Sequence, residues 1–413
     1  MLSDHALSSS GVGVQSRYLI NGLIGTGKYT FRCLGGAVKH SDYSVVKVSD
    51  DLIIKPIDGF GDQNIIRQLM VTERPDILLL FTDPRFFIFV FEMEEEVHQI
   101  CPIAYNTIWD AKPSPHFNKV LYQSTDVLNC ISDLTCEMVK EIVPEHKRVN
   151  FIPHALPREV FRPFEKGPLR DMKAKMLAPD RVDHFVALWI GRNAKRKRPS
   201  DILCAWRTFL DELHVKHGHR NATLVMHTDP LDSQGANLLV TTEMLGITDR
   251  VFFSKERLDF DQMAALHNIS DVSINLSSAE GFGLPTLEAM QCGKPIIAPK
   301  TGGLTRQVVD HRDGSQNGIA LDIDMRSMVG SLLVPSIFED YATNENMVKA
   351  LVKMYEMGPI EREKLGKKAR EYALSEFRIE KLIEDWDRSL TEVIETWRSN
   401  RSDVYKPWEV MTL

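Results

Sequence analysis

The chain has 413 residues, 43% of them apolar and 26% charged, with a formal net charge of −7. That length exceeds what one ordinary core fills, so two domains are expected, and the composition excludes disordered and fibrous classes. The acidic total gives no general attraction to nucleic acid or anionic membrane, although a local basic patch is still allowed. Six cysteines, at 33, 101, 130, 136, 204 and 292, form no C-x-x-C and no metal-ligand spacing. With no secretory leader expected, they read as reduced thiols in a cytoplasmic setting. No run reaches the length of a membrane span: the most apolar stretch, 77–93, is broken by Asp83, Pro84 and Arg85.

The chain opens on Met1-Leu2-Ser3, at most the tail of an apolar strand. The loop Ser8-Ser9-Ser10-Gly11-Val12-Gly13 follows, then a predicted helix over 14–24 with Tyr18, Leu19 and Leu23 at core spacing. Two patterns here imitate phosphate loops. Gly22-x4-Gly27-Lys28 has Tyr29 where a P-loop needs Ser or Thr, and a helix precedes it. Gly11-x-Gly13-x-x-Ser16 lacks the leading strand and third glycine of a dinucleotide fingerprint.

Short apolar strands are predicted over 31–34, 52–55, 77–81, 103–107, 127–131 and 149–152, with amphipathic helices including 63–72 and 134–142. This alternation predicts a parallel sheet covered on both faces, with ligands beyond the strands' C-terminal ends. Asp83, in Thr82-Asp83-Pro84-Arg85, and Trp109 and Asp110, in Ile108-Trp109-Asp110, are then candidates for a cleft wall. Trp109 equally suits packing beneath a loop. Phe86, Phe87, Phe89 and Phe91 read as core, or as an exposed patch for a partner or lipid-linked acceptor.

The proline-rich run Phe151 to Pro163 predicts an extended crossing, and charged residues from 165 to 175 follow, which puts a boundary near 160. A buried parallel strand is expected over 185–190. It runs into Gly191-Arg192-Asn193-Ala194-Lys195-Arg196-Lys197-Arg198-Pro199. Arginine offers a planar fork to phosphate oxygens and lysine a mobile point charge. Four consecutive basic residues also fit a solvated surface or a nuclear-import patch. Strands over 223–227, 251–253, 272–276, 295–298 and 320–322, with helices such as 200–213 and 259–267, predict a second doubly wound domain. Thr301-Gly302-Gly303-Leu304-Thr305 opens another helix. From 344 to 396 the chain is helical and charged, with Trp386 and Trp397 in the last segment.

The most informative stretch is Ser277 to Gly293. A buried strand leads into Ala279-Glu280-Gly281-Phe282-Gly283-Leu284-Pro285. Pro285 suits the first turn of a helix and Gly293 the residue just past its end. Two glycines let the loop backbone approach a ligand, and the helix N-terminus suits phosphate. Glu280 in the loop and Glu288 one turn into the helix can accept hydrogen bonds from hydroxyls flanking a diphosphate. The predicted ligand is a sugar nucleotide.

These two acids form an E-x7-E spacing, and the stretch resembles the signature of retaining glycosyltransferases of the GT-B fold, family 4 (glycosyl transferases group 1). The 191–197 loop is similar to that family's G-R-x4-K loop, and the 151–163 run to its interdomain segment. The resemblance implies an α/β GT-B architecture: two Rossmann-like, doubly wound parallel-sheet domains facing a cleft. Residues 1–160 would form the acceptor domain and 161–377 the nucleotide-sugar domain, with a terminal helix at about 378–400 returning to the first. It implies a retaining hexosyltransferase that moves a sugar from a nucleoside-diphosphate sugar to a hydroxyl acceptor, glycan, lipid-linked or other, without metal or other cofactor. Glu280, Arg192 and Lys197 would be catalytic. Glu280 would grip the transferred sugar, and the two cations, with the helix from Leu284, would stabilise the leaving diphosphate. Glu288, Gly281, Phe282, Gly283, Leu284, Gly11, Gly13 and Gly303 would bind the donor, Glu288 at its ribose. Asp83, Trp109 and Asp110 would face the acceptor, Trp109 standing where many members carry a histidine. Asp322-Ile323-Asp324 imitates the metal-binding D-x-D of another glycosyltransferase fold and is read as a strand end. Alternatives are a glycosyltransferase acting on modified DNA bases, which the acidic total opposes, a sugar-nucleotide epimerase or phosphorylase, and a non-catalytic binding module.

Overall fold

The computed structural model describes residues 1–404. The chain divides into two compact units. Among the described residues, one comprises Met1–Ala155, Gly330–Ile337 and Ile379–Val404; the other comprises Leu156–Val329 and Phe338–Arg378.

The first unit is built on eight strands: β1 (Leu2–Asp4), β2 (Phe31–Gly36), β3 (Val46–Lys47), β4 (Leu52–Pro56), β5 (Leu78–Thr82), β6 (Ile103–Thr107), β7 (Val127–Cys130) and β8 (Arg148–Phe151). Their order is β3-β4-β2-β1-β5-β6-β7-β8, parallel except for the β3–β4 pair. β1 is only three residues long yet lies inside the sheet, with Leu2 opposite Leu34 on one side and Leu80 on the other. Full burial of Leu2 between two neighbours holds so short a strand in place.

The first helix begins at Gly11, three residues before its predicted start. Ser10 is its N-cap, accepting from the Gly13 amide at 3.0 Å. Gly11 and Gly13 therefore belong to the first turn rather than to a glycine loop. A Cβ on Gly13 would lie 2.7 Å from the His5 carbonyl oxygen, so close chain packing accounts for this glycine. Gly22 has a similar reason: its Cβ would fall 2.1 Å from Ile383 Cδ1, on the helix Ile379–Val404. Lys28, the last residue of the rejected P-loop, pairs with Asp387 of that helix at 2.6 Å. Trp386 and Trp397 are buried, Trp386 in one cluster with Ile20, Leu23 and Phe81. Among the four phenylalanines after Pro84, Phe87 and Phe91 are core and Phe89 packs against it. Phe86 is 48% exposed, because the 3-10 turn Pro84–Phe87 swings it outward onto Phe60.

The second unit is a six-stranded parallel sheet: β9 (Phe185–Ile190), β10 (Ala222–His227), β11 (Val251–Ser254), β12 (Val272–Ile274), β13 (Ile296–Pro299) and β14 (Gly318–Leu321), in the order β11-β10-β9-β12-β13-β14. Trp189, Trp206 and Phe209 fill its core beside Met347 and Leu351. The strand pair β15 (Met325–Val329) and β16 (Ile337–Tyr341) was not anticipated. β15 carries no buried face, so the alternation that reveals a strand is missing from its sequence. The nearby D-x-D imitation is used structurally: Asp322 pairs with Lys300, and Asp324 accepts from the Thr343 amide and Asn346 at the head of the helix Asn344–Glu356. No described helix is long and apolar enough to cross a membrane.

Candidate functional site

In the second unit the chain runs from β9 outward to β10 on one side and returns with β12 on the other. Sheets of this kind bind ligands where the strand order reverses, beyond the C-terminal ends. The two loops that leave β9 and β12 carry the basic and acidic motifs, so neighbouring strands bring together residues over 80 positions apart.

The loops are joined backbone to backbone. The Ser278 amide donates to the Arg196 carbonyl at 2.9 Å. Across this seam Lys197 Nζ donates to Glu280 Oε2, and Arg196 Nη1 lies 3.8 Å from the same oxygen while donating to the Ala279 carbonyl. Glu280 keeps 12% of its side-chain surface and Lys197 21%. Burial alone would raise the Glu280 carboxyl; the Lys197 ammonium, then the Arg196 guanidinium, outweigh it and hold the acid below its usual range.

Behind this pair the helix Leu284–Gln291 starts at Gly283, whose φ of 95° is left-handed and open to glycine at little cost. Pro285 stands in its first turn and no side chain caps it. The macrodipole and the N-terminal N–H groups are thus directed at the acidic loop. Gly293, at φ 72°, follows its end, the position its sequence predicted.

Other donor-side candidates fare differently. Arg192 is held by Asp232 at 2.7 Å and keeps 58% of its side-chain surface, so the structure does not bring it to the Lys197–Glu280 pair. Asp232 follows β10, in a loop pinned by Asn193 through the Pro230 and Ala236 carbonyls. Phe282 is buried against Phe377, ring centroids 5.5 Å apart, so its side chain faces protein rather than a ligand. Gly281 is buried beside it and Leu284 is half-buried. The Gly303 amide is spent on the Glu280 carbonyl at 2.9 Å, and a Cβ there would lie 2.4 Å from the Gly281 carbonyl oxygen. Close approach of two loops explains this glycine, and its N–H is not open to phosphate. We expect Gly303→Ala to destabilise the unit by about 1–3 kcal/mol, the usual cost of overpacking, and to weaken nucleotide binding with it. An unchanged melting temperature would show that the 280–283 loop yields freely.

Glu288 lies one turn along the helix and bonds His267 Nε2 at 3.0 Å. In the first unit, Asp83 follows β5 and forms a two-pronged pair with Arg85, at 2.7 and 2.8 Å. Asp110 follows β6 and is half-buried. Trp109 is 4% exposed, stacks edge-on to Phe117 and gives its carbonyl to Thr135, so it packs beneath its loop rather than facing a ligand. Sequence reasoning undervalued Arg196, hidden in a run of four basic residues, and missed Asp232 and His267. Asp232 and His267 carry no signal in sequence, because only packing places them beside Arg192 and Glu288.

The family described as Glycosyl transferases group 1 matches residues 178–372, a span that includes both motif loops. The second unit carries a group 1 glycosyl transferase domain. The D-inositol 3-phosphate glycosyltransferase 2 of Catenulispora acidiphila is 31% identical over 185 residues, 43% of this chain and 41% of its own. The N-acetyl-alpha-D-glucosaminyl L-malate synthase of Bacillus anthracis is 24% identical over 272 residues, 66% of this chain and 61% of its own. The matched stretches thus span less than two thirds of these relatives. Sucrose-phosphate synthase from Thermosynechococcus elongatus superposes with a TM-score of 0.72 at 15% identity, covering 94% of both chains. Anabaena HepE, crystallised with UDP and glucose, gives 0.68 at 14% identity, covering 93% of this chain and 97% of its own. At these identities the likeness shows the fold alone: a GT-B pair of Rossmann-like α/β units.

Proposed function

We propose that this chain is a group 1 glycosyl transferase that moves a sugar from a nucleoside-diphosphate sugar to a hydroxyl acceptor, with retention of anomeric configuration. The Lys197–Glu280 pair carries the reading. It puts a cation for phosphate and an acid for sugar hydroxyls side by side, at the strand-order reversal and before an uncapped helix N-terminus. The acceptor oxygen attacks the anomeric carbon on the face the diphosphate leaves. The bond from that carbon to the diphosphate oxygen breaks, and the departing phosphate takes the acceptor's proton. Lys197, Arg196, Arg192 once released from Asp232, and the Leu284 helix end stabilise the charge that develops. These positive groups serve in place of a metal ion. Glu280 holds the transferred sugar, Glu288 the ribose, and Gly281 and Gly283 let the backbone come close. Asp83 and Asp110 are the acceptor-side candidates of the first unit.

Thermal-shift screening against UDP-, GDP- and ADP-sugars tests the reading, since a ligand that binds only the native state raises its melting temperature. Product analysis by NMR then reports the anomeric configuration. No shift with any of the three, or an inverted product, would refute it. Arg192→Ala should weaken binding of the preferred nucleoside diphosphate by about 1.5 kcal/mol, the low end for a hydrogen bond to a charged group, because the guanidinium must first leave Asp232. Calorimetry showing equal affinity would remove Arg192 from the site.

A further inference from the structure

Glu288 is gripped from behind by a residue that no motif contains. His267, on the helix Phe260–Ile269, has no exposed side-chain surface. Its ring lies edge-on to Phe161, with centroids 6.3 Å apart. Nε2 lies 3.0 Å from Glu288 Oε2, whereas Nδ1 has no hydrogen-bond partner among the described residues. That asymmetry fixes the tautomer. A proton on Nδ1 would be a buried donor without an acceptor, so the proton sits on Nε2 and is donated to the carboxylate. Oε2 thereby accepts from a ring that is wholly buried. Glu288 keeps 15% of its side-chain surface, whereas His267 keeps none.

We propose that His267 is a positioning residue for Glu288: by occupying one carboxylate oxygen from within the core, it aims the other at the vicinal hydroxyls of the donor's ribose. The proposal rests on the reading of Glu288 as the ribose acid. Without the Nε2–H donor the carboxylate would swing among several rotamers, and orientation at the ribose would be lost while the phosphate contacts stay intact.

The test compares each nucleoside diphosphate with its 2′,3′-dideoxy counterpart, by calorimetry on the full chain. UDP is used first, or whichever of UDP, GDP and ADP gives the largest thermal shift. The unaltered chain should prefer the ribose form by at least about tenfold, the size of one hydrogen bond to a charged acceptor. His267→Gln keeps a donor near the Nε2 position and should keep that preference. His267→Leu and the shorter His267→Asn should reduce it to roughly threefold or less while leaving the dideoxy affinity unchanged. Full preference in both variants would overturn the proposal. So would an equal fall in affinity for both ligands, which marks a merely structural residue. Glu288→Ala separates the two readings: if it too keeps the full preference, the ribose assignment of Glu288 fails, and the His267 proposal with it.

Discussion

Glu280→Ala is expected to lower sugar transfer by about 10²–10³-fold, the range for removing one group that meets the transition state in a preorganised site. Nucleoside diphosphate binding should move the other way. In the folded protein Glu280 occupies the Lys197 ammonium and stands 3.8 Å from Arg196. Removing the carboxylate releases both cations toward phosphate, so affinity for the free diphosphate should hold or rise as turnover falls. This opposite movement separates a sugar-gripping acid from a residue that merely keeps the loop folded. Both partners keep some surface, so the stability cost lies below the 3–5 kcal/mol of a fully buried broken pair, at about 1–2 kcal/mol. Steady-state transfer, calorimetry with the diphosphate and a melting curve settle the matter together. Unaltered turnover, or collapse of the whole unit, would each end the assignment.

Stability should fall between neutral and alkaline pH, and the cause lies in the first unit. His98, 1% exposed, sits between Asp126 at 2.8 Å and Glu94 at 3.0 Å. Burial alone would push its imidazolium down; the hydrogen bonds it donates to Asp126 and Glu94 outweigh that and lift it from 6.5 to about 9. A group whose folded value is raised stabilises fully below its unfolded value and loses that contribution as pH rises through the folded one. The window therefore runs from about 6.5 to about 9. A rise of that size corresponds to about 3 kcal/mol; since Glu94 is 35% exposed, about 2 kcal/mol is expected. The depressed Asp126 carboxyl reports the same interaction and adds nothing further. His98→Gln should melt lower than the unaltered chain at pH 6, and the gap should close by pH 9.5. Parallel curves would mean that the ring carries no charge in the folded unit.

Much of this protein was legible before any coordinate. The strand–helix alternation, the helix from Leu284 to Gln291 with Pro285 near its start and Gly293 past its end, and the Glu280 loop are all local features. They are set by backbone sterics, caps and short-range periodicity, and these act within a few residues of the chain. The same local rules misplaced the first helix by three residues, because Ser10 takes the cap ahead of the two glycines.

What the sequence by itself determined is therefore the strand–helix alternation of the two main sheets, the two-unit α/β class, and the residue types at the turn where β12 gives way to its helix. Tertiary structure alone decided which charges meet. It paired Lys197 and Arg196 with Glu280, drew Arg192 aside to Asp232, buried Trp109 and Phe282, and set His267 behind Glu288. The physical reason is separation along the chain: the members of these pairs lie 21 to 84 positions apart. No propensity or spacing encodes such a distance, only the register of β9 beside β12 and the packing of helices on one sheet.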